Sequence, residues 1–167
     1  MLLVDQVSAH ERILYERFVG QLANRSGHAQ QTLFPVNIEL NPGDFSLVME
    51  IQDEIKSLGF LFEEFGANSI IINAMPASLP SRNEKDLFEG LIEQFKKNKT
   101  ELSISKQDNL ARAMAKRSAL RESQPLSSQE CKAIIDGLFA CENPNYAPDG
   151  RKTFFILDLK QIETFFS

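Results

Sequence analysis

LLVDQVSAHERILYERF, residues Leu2 to Phe18, is the stretch whose reading decides the fold. Leu2 to Asp5 reads as a short buried strand that runs directly into a helix. Ser8 followed by Glu11 has the spacing of a capping box, which places the helix start there. Leu14, Phe18 and Leu22 then recur at every fourth position and form one apolar helix face. A strand feeding an amphipathic helix is the opening of a mixed α/β chain, and the sequence on the far side continues in that manner.

Polar residues Asn24 to His28, with Gly27 among them, end the helix. Leu33 to Leu40 reads as a half-buried strand, because Val36, Ile38 and Leu40 alternate with Asn37 and Glu39. Asn41 and Pro42 have the form of a cap and first turn. Leu47, Val48, Ile51, Ile55 and Leu58 give helical spacing from Phe45 to Leu58, with Gly59 as the stop. Phe60 to Phe65 and Ser69 to Met75 form an expected hairpin through Gly66 to Asn68. After a proline-containing loop from Pro76 to Asn83, the residues Leu87, Phe88, Leu91, Ile92 and Phe95 make the cleanest amphipathic helix. A further helix is expected from Lys106 to Glu122. Another starts at Ser127, capped by Glu130, with Ile134, Ile135, Leu138 and Phe139 on its inner face. Glu142 to Lys152 carries two prolines and a glycine and reads as a loop, followed by the apolar strand Thr153 to Leu157 and a short helix from Asp158 to Phe166. This order implies an α/β or α+β sandwich with helices covering a sheet.

The 167 residues, 43% of them hydrophobic, suffice to bury a substantial core. No apolar run is long enough to span a bilayer, and the N-terminus lacks the order of a signal peptide. Cys131 and Cys141 have no metal-type spacing around them, which suits a reducing, cytoplasmic interior. A net charge of −5 argues against binding nucleic acid by phosphate neutralisation alone. Two basic clusters exist: Lys96, Lys97 and Lys99, which suit a helix C-terminus, and Arg112, Lys116, Arg117 and Arg121, which read as a solvated face.

Asp5, His10, Glu11 and Glu16 are the densest ionisable group, and carboxylates with an imidazole can hold a divalent cation. Ordinary structural duties compete for the same residues: capping for Glu11, a strand end for Asp5, and a solvated helix face for Glu16. The run Gln30 to Pro35, QQTLFP, similarly has two readings. It suits an extended peptide with a glutamine anchor and a leucine for an apolar pocket, or simply the beginning of the following strand with Pro35 at a sheet edge.

Leu2 to Phe18 resembles the signature DQHAxxExxxxE of the MutL family of DNA mismatch-repair proteins. Asp5, Gln6, Glu11 and Glu16 match it, while Val7 stands where the family has His and Ser8 where it has Ala. Ala115 to Arg117 falls where the family carries Ala-Cys-Arg or Ala-Cys-Lys, with Lys116 replacing the cysteine. Ala147 to Lys152, APDGRK, resembles CPHGRP, with Ala147 for Cys, Asp149 for His and Lys152 for Pro. Leu126 to Arg151 is similar to the family's closing helix and loop, and the C-terminal Phe-x-Arg motif is missing.

The resemblance implies a two-lobed MutL C-terminal fold: a dimerisation lobe of residues 1–27 and 117–167, built on a sheet, and an inserted regulatory lobe of residues 28–116. It implies a homodimer that brings together the family's ATPase domains, with ATP belonging to those domains rather than to this chain. The apolar run Phe154, Phe155, Ile156 and Leu157 is the expected dimer interface, joined by Leu2 and Leu3, while Phe165 and Phe166 suit core or interface. In the family, the Asp, His and Glu motif builds the metal site of a nicking endonuclease. Here Val7 and Ala147 cannot coordinate a metal and Lys116 brings a positive charge, so the site is expected to be degenerate. Lys116 could itself neutralise Asp5, Glu11 and Asp149 in place of the ion. The alternative is a divergent nuclease with manganese or magnesium on Asp5, Glu11 and Asp149, with Glu16 in support. Gln30, Thr32, Leu33 and Pro35 resemble the family's sliding-clamp-binding motif. The implied partners are a second copy, the sliding clamp and the mismatch-recognition protein MutS. DNA contact is expected to be weak or indirect, membrane contact absent, and the location cytoplasmic and nucleoid-associated.

Overall fold

In the structure, a computed structural model that describes residues 1–77, 79, 83–101, 103–121 and 124–164, with backbone alone at 101, strand β1 (Leu2–Val4) runs straight into helix α1 (Gln6–Asn24). The Asp5 carboxylate accepts the Ser8 backbone N–H at 2.6 Å, so aspartate caps the helix. The expected start at Ser8 is therefore corrected: Ser8 lies within the first turn, buried, and the cap is Asp5.

The chain continues through β2 (Ala29–Glu39), α2 (Pro42–Glu50), α3 (Gln52–Ser57), β3 (Leu61–Glu64), β4 (Ser69–Pro76), α4 (Glu84–Glu101), α5 (Lys106–Ser118), α6 (Ser128–Phe139), β5 (Phe154–Ile156) and α7 (Leu159–Glu163). The helix expected from Lys106 to Glu122 ends at Ser118, while Phe165, Phe166 and half of the residue 76–83 loop lie outside the described residues. Two compact units result, residues 1–16 with 119–167, and residues 17–118. The sequence reading placed the first boundary at Gly27. The division instead falls within α1, because the buried Phe18 and Leu22 of its later turns belong to the second unit.

In the first unit, β1 and β5 form a two-stranded antiparallel sheet with Leu2 opposite Ile156, Leu3 opposite Phe155 and Val4 opposite Phe154. Ser127 and Glu130 cap α6 reciprocally, as their spacing foretold. Of the apolar face expected on α6, only Leu138 is buried; Ile134 and Ile135 are half-buried and Phe139 is exposed on one side.

The second unit holds a three-stranded antiparallel sheet in the order β2-β4-β3. Ile70, Ile72 and Ala74 alternate along the central strand β4 and are buried, as a period of two requires. Phe88 of α4 meets Phe60 and Phe62 edge-on, with ring centroids 5.5 and 5.9 Å apart. Small residues of α5, Ala111, Ala113 and Ala115, are buried with Leu110 and Met114. The helix expected from Phe45 to Leu58 is broken at Ile51, whose φ of −114° and ψ of 19° leave the helical well. Asn41 caps α2 by accepting the Asp44 N–H at 2.9 Å.

One close backbone crossing fixes the edge of this unit. The Gly27 N–H donates to the Ser57 carbonyl at 3.0 Å, and a Cβ on Gly27 would sit 2.3 Å from that oxygen. Gly59 has a φ of +103°, open to glycine at little cost. Among the described residues, no helix is long and apolar enough to cross a membrane.

Candidate functional site

Leu3 and Phe155 share one face of the β1–β5 sheet, and Leu2 with Ile156 the other, because side chains alternate along a strand. All four are exposed, Phe155 at 52% and Ile156 at 70%. On the second face Phe154 is half-buried against Phe139, ring centroids 5.2 Å apart, while Lys152 lies over the Phe155 ring. Leu157 is half-buried and donates its backbone N–H to the Met1 carbonyl at 2.9 Å. Leu159 of α7 is exposed too.

The carboxylates of α1 are each engaged. Glu11, with a side chain only 4% exposed, accepts a 2.6 Å ion pair from Arg151, and Arg151 also pairs with Asp149 at 2.7 Å. Burial disfavours the charge on Arg151, yet Asp149, then Glu11 and Asp5, outweigh it and hold its pKa above the ordinary arginine value. Glu16 accepts the backbone N–H groups of Glu142 and Asn143 at 2.8 and 3.1 Å, and Asp5 caps α1. His10 accepts the Leu120 N–H on Nδ1 at 3.1 Å. Val7 is half-buried and Ala147 buried. The cation beside Glu11 is Arg151, and Lys116 is an exposed residue of α5. Nothing in the sequence spacing separated the two, since Arg151 reaches Glu11 across 140 residues.

Val7 and Ala147 offer no ligand atom, and Glu11 and Asp149 are both held by a guanidinium. Among the described residues, no three His, Cys, Asp or Glu side chains gather as a metal-holding group.

The run Gln30 to Pro35 forms a wide bulge in β2. Gln31 pairs with Ala74 and Val36 with Ile72, so residues 32–35 lie across from Asn73 alone. Thr32, half-buried, anchors the bulge by donating its hydroxyl to the Asn73 carbonyl at 3.1 Å. Gln30 and Pro35 are exposed, and Leu33 and Phe34 stand out at 94% and 81% exposure. Beside them lies a cavity of about 480 Å³ bordered by Gln30, Met75, Pro76 and Leu79. Phe34 lies within β2, as the strand reading of this run expects, and is exposed beside Leu33.

Both basic clusters are partly spent on internal pairs. Lys96 holds Asp44 at 2.6 Å, Arg112 holds Asp108 at 2.8 Å, and Arg117 holds Glu93 at 2.6 Å.

Residues 1–126 match the family profile described as the MutL C terminal dimerisation domain. The chain is similar to the DNA mismatch repair protein MutL of two strains of Chlorobium phaeobacteroides, at 35% and 36% identity, and of Chlorobium phaeovibrioides, at 35%. Each alignment covers 99% of this chain and 27% of the relative, so the chain spans about a quarter of the length of the curated relatives it matches.

Proposed function

Starting from a chain that belongs to the family of MutL C-terminal dimerisation domains, we propose that it serves as a homodimerising and partner-docking module of a DNA mismatch repair protein, with no working nuclease site. The observation that carries this reading is the exposed apolar sheet. Two strands are too few to be stable alone in water, and here Leu2, Leu3, Phe155 and Ile156 remain uncovered. A second copy pairing along one strand edge relieves that edge and sets like apolar residues beside Leu2, Leu3, Phe155 and Ile156. Phe154 and Leu157 then line the inner margin of the interface. Sedimentation equilibrium tests it: the wild-type chain is expected to be dimeric at tens of micromolar, and Phe155→Glu with Ile156→Glu to be monomeric. A wild-type monomer, or a dimer indifferent to both charges, would overturn the assignment.

A second docking surface is favoured by the β2 bulge. Leaving Leu33 and Phe34 in solvent costs apolar burial, and a groove on a sliding clamp is the partner that the pattern Gln30, Thr32, Leu33 and Pro35 fits. Gln30→Ala with Leu33→Ala should abolish capture by the clamp without lowering thermal stability. A large loss of stability would return the segment to a purely structural role.

In this reading the lobe of residues 28–116 is regulatory, MutS is a partner of the whole protein, and DNA contact is indirect because Lys96, Arg112 and Arg117 are already paired. The protein works in the cytoplasm at the nucleoid, and this domain carries neither metal nor nucleotide. The rival reading, a nicking endonuclease with manganese or magnesium on Asp5, Glu11, Glu16 and Asp149, requires those groups to give up their present partners. Calorimetric binding of manganese that disappears in Glu11→Ala would establish it.

A further inference from the structure

Glu11 and Glu16 of α1, which a metal reading would make ligands, both grasp the loop 142–152 that delivers the chain to β5, and Arg12 joins them. Glu16 holds its start, each carboxylate oxygen taking one backbone N–H, from Glu142 and Asn143. Arg12 holds its middle, donating from Nε to the Tyr146 carbonyl at 2.5 Å and pairing with Glu16 at 3.5 Å. Glu11 holds its end through Arg151. Within the loop, Ala147 donates to the Arg151 carbonyl at 2.8 Å and Thr153 to the Asn145 carbonyl at 3.2 Å. Thr153 is fully buried, its hydroxyl donates to the Pro144 carbonyl, and its own carbonyl accepts the Asp5 N–H at 2.8 Å. The next residue, Phe154, is the first to pair with β1.

We infer that Glu11, Arg12 and Glu16 are positioning residues for self-association: by docking the loop 142–152 onto α1, they set the register in which β5 presents Phe155 and Ile156. This inference rests on the proposal that the β1–β5 sheet is the dimer surface. The physical basis is the strength and geometry of the contacts. Charge-assisted bonds hold a loop at both ends and the middle, so the strand that leaves it has one exit position. A three-residue strand has too few ladder bonds to fix its own register once that exit drifts.

The test separates folding from association. Dimer dissociation constants are measured by sedimentation equilibrium, and thermal stability at one fixed concentration, for the wild-type chain, Phe155→Glu, Glu16→Gln, Arg151→Met and the pair Glu11→Gln with Arg151→Met. Glu16→Gln keeps the side-chain shape but offers one acceptor to two N–H donors. We expect Glu16→Gln and Arg151→Met each to weaken the dimer by about tenfold or more. The double variant is expected to recover thermal stability, since no buried charge is stranded, while its dimer stays weak because the loop has lost its tether. A dimer of unchanged affinity in Glu16→Gln and Arg151→Met overturns the inference, as does recovery of affinity together with stability in the double variant. Should Arg151→Met not fold, Glu16→Gln and the double variant decide. A dimer untouched by Phe155→Glu overturns the surface assignment itself, and the inference falls with it.

Discussion

Replacing Arg151 with methionine leaves Glu11 as a buried carboxylate without its cation, and the cost follows from where the two partners sit. Removing one partner from a fully buried pair costs about 3–5 kcal/mol, whereas an exposed pair is worth at most about 1 kcal/mol. Glu11 is 4% exposed and Arg151 47%, so water reaches the guanidinium side and screens the pair from that direction. The outcome should lie between the limits, at about 2 kcal/mol, to which the more exposed Asp149 contact adds a few tenths. For a chain of this size that corresponds to a fall in Tm of about 4–8 °C. Differential scanning calorimetry at one protein concentration is the assay, because self-association makes Tm depend on concentration. Adding Glu11→Gln should restore at least half of the loss. A Tm for Arg151→Met within about 1 °C of wild type would refute the claim that the guanidinium is the resident cation of this pocket.

Gly27→Ala should cost about 2–4 kcal/mol in urea melts, since its Cβ would lie 2.3 Å from the Ser57 carbonyl oxygen and backbone must move; an unchanged midpoint would contradict the close crossing. Leu33→Ser should change stability by no more than about 0.5 kcal/mol, because the side chain is almost wholly in solvent. Burial, and then the charge and hydrogen bond of Glu16, push the Cys141 thiol from 9.0 to about 11, so at pH 8 its alkylation by iodoacetamide should be about 100-fold slower than that of an ordinary thiol, and faster in Glu16→Gln. With a raised folded-state pKa, Cys141 favours the folded form fully below pH 9.0, and that contribution is lost as pH rises towards about 11. Glu130 runs the other way. Ser127 holds its carboxyl below the usual value, so the cap on α6 is intact above the ordinary glutamate range and weakens as pH falls, and Glu130→Gln should flatten that acid limb of the stability curve.

Elements with strong local signals are legible in the sequence: the isoleucine run of β4, the phenylalanine and leucine stripe of α4, and the Ser127–Glu130 cap. The start of α1 misled because two cap patterns overlap. Asp5 and Ser8 each precede a run of helix formers, and the earlier one wins because β1 ends at Val4 and α1 already begins at Gln6. The break at Ile51 was concealed by apolar spacing that continues across it. Likewise, the β2 bulge is silent in the alternation of Val36 and Ile38, and only Pro35 hinted that the ladder is interrupted there. The exposed apolar residues of β5 are signalled by the near-continuous run at 154–157. Least legible was the clamp on the loop 142–152. Its proline and glycine content marks a loop, but which helix residues a loop docks against is a non-local fact, and so Lys116 was expected where Arg151 stands.

The central claim, that this chain joins a second copy through the β1–β5 sheet, is tested most directly by hydrogen–deuterium exchange followed across a protein dilution series. Amides of residues 2–4 and 154–157 should gain protection in step with the rise in mass, while those of α4 and α5 stay constant. A mass that doubles without any change at residues 2–4 and 154–157 would contradict it.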